Sequence, residues 1–295
     1  MGAGAALVLF RRDLRVADNP ALHAACAAHA SIIPVYIDTA GDAGAWAPGA
    51  ASRWWLHHSL EALDDNLRGI GGSLQVLRGD TLEVLRSALA ASGATSVYWN
   101  RRYEPAAIDA DRRVMAALRA LGVAVHSHNA NLWVEPWEVA NGTGGPYRVF
   151  TPFWRRIRPR VQAEAPLPAP RIRGGLPLPG ALPLRGLHLL PRRDWAGGLA
   201  ESWRPGEAGA RELLDIFGDS ALHAYPAQRD LPARHGTSRL SPHLHFGEIS
   251  VRQVHHHLVR TAADVPLSRR PDLESYLRQL GWREFAHHVL YHFPD

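Results

Sequence analysis

Gly236-Thr237-Ser238-Arg239-Leu240-Ser241-Pro242 gathers three hydroxyls, one guanidinium and a permissive glycine into seven consecutive residues. Ser241 followed by Pro242 reads as a helix N-cap and first helical residue. A helix start offers unpaired N–H groups and the positive end of the dipole, which suits an anion such as phosphate. Gly236 would let the backbone turn with positive φ just before it. An ordinary capped helix uses the same residue types, so the stretch by itself leaves both readings open.

A second group of chemically able residues lies near the C-terminus. A helix is predicted from about Asp272 to His292, and Tyr276, Gln279, Trp282 and Arg283 recur on it at spacings of three and four. They therefore share one face. Such a face can both stack and hydrogen-bond, which suits a flat aromatic ligand or a base; a helix–helix contact around a buried Trp is the alternative. The triplet His255-His256-His257 points in different directions on a helix and reads as a solvated face. His288 and His292 stand at i, i+4, but without a His-Glu-x-x-His arrangement or a third ligand, and no metal is expected. The single Cys, Cys26, excludes an internal disulfide and a Cys-based zinc site.

These residues need a scaffold, and the first 128 residues supply a regular one. Strands are predicted at Ala5–Phe10, Ser31–Ile37, Ser73–Leu77, Thr95–Trp99 and Val123–His126. Helices are predicted from Asn19-Pro20, over Ser52–Leu67, from Asp80 to about Ala91 with Glu83 completing a capping box, and over Ile108–Leu121 before Gly122. Alternating strands and helices argue an α/β fold, a parallel doubly wound, Rossmann-like sheet of five strands. Ligands in such sheets bind at the carboxyl ends of the strands. No Gly-rich phosphate fingerprint follows the first strand, so no dinucleotide site is expected there. From about Asn129 to Ala200 periodicity fades, and the Pro- and Gly-rich stretch Ala165–Pro191 reads as a surface linker. Within this interval Phe153 to Arg160 mixes aromatic and guanidinium groups, read as a solvated Arg face over an anchoring aromatic. From about Glu201 the chain turns helical, with Glu207–Phe217 closed by Gly218 and a further helix opened by Ser250 and Gln253.

Composition sets outer bounds. The chain has 295 residues, 46% hydrophobic and 21% charged, values of a globular protein able to bury a sizeable core. Its formal net charge is +5, and all 33 basic residues of the Lys and Arg group are Arg, a balance that favours polyanionic partners. No run has the apolar length of a membrane span and no export signal is visible, so a cytoplasmic protein without a membrane partner is expected.

Taken together, Tyr225-Pro226-Ala227-Gln228-Arg229-Asp230, the Gly236–Pro242 stretch and Gln279-Leu280-Gly281-Trp282-Arg283-Glu284-Phe285 resemble the start of the FAD-binding helical domain of photolyase/cryptochrome flavoproteins. Phe10-Arg11-Arg12-Asp13-Leu14-Arg15 and Asp18-Asn19 extend the resemblance to the N-terminus. It implies an α/β antenna domain over 1–128, an interdomain linker over 129–200 and the first part of an all-α FAD-binding domain over 201–295. It implies FAD bound through Tyr225, Thr237, Ser238, Arg239, Leu240, Ser241 and Tyr276, where position 276 is commonly Trp in the family. It implies contacts to damaged DNA through Arg229, Gln279, Trp282 and Arg283, with Trp282 stacking on a flipped pyrimidine dimer. Gln279 stands where dimer photolyases usually have Glu. An antenna chromophore is allowed, but the family's folate pattern has Asn-Glu shortly after Tyr-Glu. Here Tyr103-Glu104 is followed by Pro105, Ala106 and Ala107, so folate binding through that pair is not expected.

The implied activity is light-dependent repair of cyclobutane pyrimidine dimers by electron transfer from reduced FAD, in a protein that is a monomer when complete. The alternatives are a cryptochrome-type blue-light photoreceptor and, from another class, a catalytically silent nucleotide- or nucleic-acid-binding module. The chain ends at Asp295, about where the family's helical domain is half built. A final helix apolar on several sides, with its family partners in later helices, is expected to be partly bare.

Overall fold

The computed structural model describes residues 4–39, 47–161, 165–175, 177–263 and 270–294. Its first half alternates β1 (Ala5–Phe10), α1 (Pro20–Ala28), β2 (Ser31–Asp38), α2 (Ala50–Gly69), β3 (Gln75–Arg78), α3 (Thr81–Ser92), β4 (Ser96–Asn100), α4 (Pro105–Ala120) and β5 (Ala124–His128). All strands pair in parallel in the order β3-β2-β1-β4-β5. Alternate residues of β1 serve opposite faces. Ala6, Val8 and Phe10 pack with Leu22 of α1 and Leu60 and Leu63 of α2, while Leu7 and Leu9 pack with Leu85 of α3 and Leu118 of α4. The sheet is covered on both sides, as a parallel sheet requires. Asn19 caps α1 by accepting from the Leu22 N–H, and Asp80 caps α3 through the N–H groups of Leu82 and Glu83.

The second half contains α5 (Phe150–Ile157), α6 (Gly197–Ser202), α7 (Glu207–Ile216), α8 (Tyr225–Gln228), α9 (Ser241–Phe246), α10 (Val251–Ala263) and α11 (Arg270–His292). A reciprocal capping box opens α10: the Gln253 N–H donates to Ser250 Oγ at 3.0 Å, and the Ser250 N–H to Gln253 Oε1 at 2.8 Å. Among the described residues no helix is long and apolar enough to cross a membrane.

The interval read as a linker has two structural jobs. Val134, Val139, Phe150, Phe153, Trp154 and Ile157 join the helical core beside Tyr276, Leu277, Leu280 and Phe285 of α11. The described residues between 165 and 189 instead lie along the α/β body, where Ile172, Leu187 and Leu189 are buried in the sheet's core, and bridges join Ile32 to Gly174 and Val76 to Leu182. The final helix is partly bare, as expected, but less so than an absence of later helices implies. Of its large apolar side chains only Trp282 and Leu290 are exposed, because the partners come from α5 and the segment before it. His255 is likewise not solvated; it is buried edge-on against Trp133.

Buried polar groups fix the two bodies to each other. Glu207 at the start of α7 accepts from the Val16 N–H at 2.6 Å and from Asn66 of α2 at 3.2 Å. Glu248, after α9, accepts from the Trp55 indole at 2.9 Å and also contacts His243. Asp18 accepts from Ser250 Oγ and from Arg252 Nε. Carboxylates this deeply buried stand only where each is bonded, so the interface has one geometry.

Candidate cofactor cleft

A cavity of about 610 Å³ opens between the two bodies. One wall is the 237–241 stretch, and the floor is α11. Tyr225, Thr237, Ser238, Arg239, Ser241 and Tyr276 border it, as do Gln279 and Arg283. Six of the seven residues expected to bind cofactor and two of the four expected to face DNA thus come together. Leu240 is buried in the helical core, anchoring the wall from behind, while its N–H donates to Ser238 Oγ at 3.4 Å. Arg229 and Trp282 lie outside the cavity lining. Arg229 stands over the Tyr225 ring at 5.7 Å and pairs with Asp230 at 3.4 Å. Trp282 is 46% exposed and stacks on Phe150, centroids 3.8 Å apart and planes 10° from parallel.

Two local expectations need correction. Ser241 does not cap α9; it is the first helical residue, Leu240 holds the cap position, and no side chain closes that end. Nor does Gly236 supply the positive φ, which falls on Arg239 at +56°. Gly236 is needed for a different reason, since a Cβ there would stand 2.6 Å from Gln228 Cβ and 2.7 Å from the Gln228 carbonyl oxygen. The turn therefore lies directly against the end of α8, which carries Tyr225. The Arg239 guanidinium is held over the Trp203 ring at 4.1 Å and donates to the Ser202 carbonyl at 3.0 Å.

The floor is rigid. Tyr276 is buried between Phe217 at 4.5 Å and Tyr225 at 5.3 Å, and its hydroxyl donates to Ser238 Oγ at 2.9 Å. Burial pushes the Tyr276 phenol well above its ordinary value, so it remains a neutral donor. Arg283 donates to the Asn131 carbonyl at 2.7 Å, and burial lowers its guanidinium against the opposing pull of Glu284. His287 is pushed down to about 4 by burial and then by the Arg283 charge, so it faces the cleft as a neutral imidazole at neutral pH.

The opposite wall includes residues that the sequence placed in motifs, Arg12 and Tyr103-Glu104, but not at the cleft. Arg12 follows β1, and Arg102, Tyr103 and Glu104 follow β4. β1 and β4 are adjacent in the sheet, and the strand order reverses between them. The crevice outside the carboxyl ends at such a switch point is where α/β sheets bind ligands. Strand order was the missing signal, because it cannot be read from local patterning. Tyr103 is buried and its hydroxyl donates to Glu135 Oε1 at 2.7 Å, while Ala107 is buried, so no polar pair stands there for a folate. Burial raises the Glu104 carboxyl, but the Arg12 charge and further hydrogen bonding outweigh it and hold the group below its usual range.

The chain is similar to known proteins over nearly its whole length. The family model described as DNA photolyase matches residues 6–171. A deoxyribodipyrimidine photo-lyase of Agrobacterium fabrum (strain C58 / ATCC 33970) is 41% identical over 297 residues, covering 98% of this chain and 60% of its own. Cryptochrome-1 of Arabidopsis thaliana is 36% identical over 307 residues, covering 99% of this chain and 44% of its own. The crystal structure of a bacterial class III photolyase from Agrobacterium tumefaciens superposes with a TM-score of 0.93 at 40% identity, covering 100% of this chain and 60% of that one. The chain therefore spans about 60% of the photolyases it matches here.

Proposed function

The chain belongs to the DNA photolyase family, and on that premise we propose that it holds FAD in the interdomain cleft and serves light-dependent repair of cyclobutane pyrimidine dimers in DNA. The observation that carries this reading is the convergence of Tyr225, the 237–241 hydroxyls, Tyr276, Gln279 and Arg283 on one cavity. The residues fit the cofactor. Thr237, Ser238 and Ser241 offer hydroxyl donors for a diphosphate, and two buried tyrosine rings stand beside them. A volume of about 610 Å³ lies within the roughly 300–1,000 Å³ usual for small-molecule sites.

Bound there, reduced FAD would supply the photoexcited electron donor, and the protein's share is position and electrostatics. The 237–241 wall would hold the diphosphate, and the Tyr276 floor would orient the rings. Gln279 would meet a flipped-out lesion with a carboxamide that both donates and accepts. A lesion that pairs poorly costs least to extrude. Trp282, stacked on Phe150 and 46% exposed, would take the extruded bases. Arg229 would contact the backbone.

Gln279 also favours a second reading, since it lacks the charge that dimer photolyases usually place there; a cryptochrome-type photoreceptor would need no lesion contact. One experiment separates the readings. The protein is purified in dim light, its flavin absorbance is measured, and a dimer-bearing oligonucleotide is illuminated with it. Light-dependent loss of dimers supports the photolyase. Flavin without repair supports the photoreceptor. A chain that neither retains nor takes up flavin leaves the silent binding module and overturns both.

A further inference from the structure

We infer that the Tyr276 hydroxyl turns Ser238 into a one-way hydrogen-bond donor, so that the cleft recognises its ligand by phosphate oxygens. This rests on the reading of the cleft as a dinucleotide site, and assigns how the selection is made. A serine hydroxyl has one proton to give and two lone pairs to fill. Both lone pairs of Ser238 Oγ face donors of the protein: Tyr276 Oη at 2.9 Å and the Leu240 N–H at 3.4 Å. The direction of the first bond follows from chemistry, because a phenol is the more acidic hydroxyl and Ser238 is the only hydrogen-bond partner of Tyr276 Oη among the described residues. Only the Ser238 proton remains, and among the described residues it has no protein acceptor. Ser238 borders the cavity.

Such a hydroxyl satisfies a group that only accepts. A phosphate oxygen meets it, whereas an N–H or a ribose hydroxyl acting as donor finds no lone pair free. The tyrosine ring cannot swing away, since it is buried between Phe217 and Tyr225. Tyr276 is therefore a positioning residue for Ser238, in addition to any contact its ring makes with ligand.

The test uses the 295-residue chain and four probes: FAD, ADP, riboflavin and adenosine. Calorimetric affinities are compared for the wild type, Tyr276→Phe, Ser238→Ala and the double variant. Tyr276→Phe should weaken FAD and ADP about 5- to 10-fold, the worth of one hydrogen bond, and leave riboflavin and adenosine unchanged. The double variant should bind no more weakly than Ser238→Ala alone. Equal losses for phosphate-bearing and phosphate-free probes, or additive losses in the double variant, overturn the inference while leaving the cleft assignment in place. If Tyr276→Phe fails to fold, Ser238→Ala decides: a preference for ADP over adenosine that is undiminished from the wild type overturns the inference. A wild-type chain that binds none of the probes overturns the cleft reading, and this inference with it.

Discussion

Arg15 of the α/β body donates through Nη1 to the Gly247 carbonyl of the helical body at 2.8 Å, across 232 positions of sequence. Its other bonds also go to carbonyls: Nε and Nη2 to Asp18 and Nη2 to Ala130. The side chain is wholly buried, and Asp18 and Asp13 partly offset the cost of burying its charge. Gly247 answers with a shape only glycine tolerates, φ +69° with the Arg12 carbonyl oxygen 2.1 Å from where a Cβ would be.

Arg15→Lys should therefore destabilise the protein by about 3 kcal/mol, because one ammonium cannot reach carbonyls spread around a planar fork. Gly247→Ala should cost at least as much through backbone displacement. Urea denaturation measures both, and a loss below about 1 kcal/mol for Arg15→Lys would show that the bodies are held elsewhere.

Glu284 sets a pH dependence. Burial pushes its carboxyl up to about 7, against the Arg283 charge and the Trp133 and Val134 N–H groups that donate to Oε2. The unfolded value is near 4.3. Between these two values the native chain keeps a proton that the unfolded chain has lost, so this residue's contribution to stability falls as pH rises through the window. His288 acts in the opposite sense over nearly the same pH range, between its native value and the ordinary value near 6.5. It accepts from the Tyr147 N–H, burial lowers it to about 4, and stability falls as acid forces a proton onto it. Comparing Glu284→Gln with wild type isolates the first effect. The variant should gain relative stability from pH 5 to pH 8, and a difference independent of pH would refute the assignment.

Replacing Thr237 and Ser238 together by Ala should weaken flavin binding by roughly 1–3 kcal/mol, if two hydrogen bonds to the diphosphate are lost. Flavin fluorescence titration reads this directly. Unchanged affinity would move the diphosphate away from the 237–241 wall.

Trp282→Ala should cost roughly 1–3 kcal/mol on dimer-bearing DNA, the worth of one stacked base, and little on undamaged DNA. Arg229→Ala should weaken both DNAs and reduce the salt slope by about one phosphate contact. Equal losses on the two DNAs for Trp282→Ala would mark the residue as structural, acting through its stack on Phe150.

The readable parts of the fold are those whose causes are local. Asn19, Asp80 and Ser250 announce helix starts because a cap is a contact within three residues. The strands follow from short apolar runs. The unreadable parts depend on distant partners. Phe150, Phe153, Trp154 and Ile157 form an apolar stripe too short and too mixed with Arg to separate from a surface segment. Missing that stripe also left α11 without its partners. On the site, the hydroxyl wall and the α11 face are legible as residue types, whereas Arg12 and Glu104 become wall residues only once β1 and β4 are seen side by side.

The route of residues 129–189 constrains how the molecule is made. Val134 and Val161 lie in the helical body, Ile172, Leu187 and Leu189 lie against the sheet, and α7 is again in the helical body. Phe150 and Phe153 are synthesised well over a hundred residues before Phe285, against which they rest. A nascent sheet thus emerges without Ile172, Leu187 and Leu189, and the helical core waits for α11 with its aromatic side chains uncovered. Contacts so far apart in sequence slow folding and expose apolar surface meanwhile. The two bodies are interlaced, and a clean cut between gene segments would have to pass through a core.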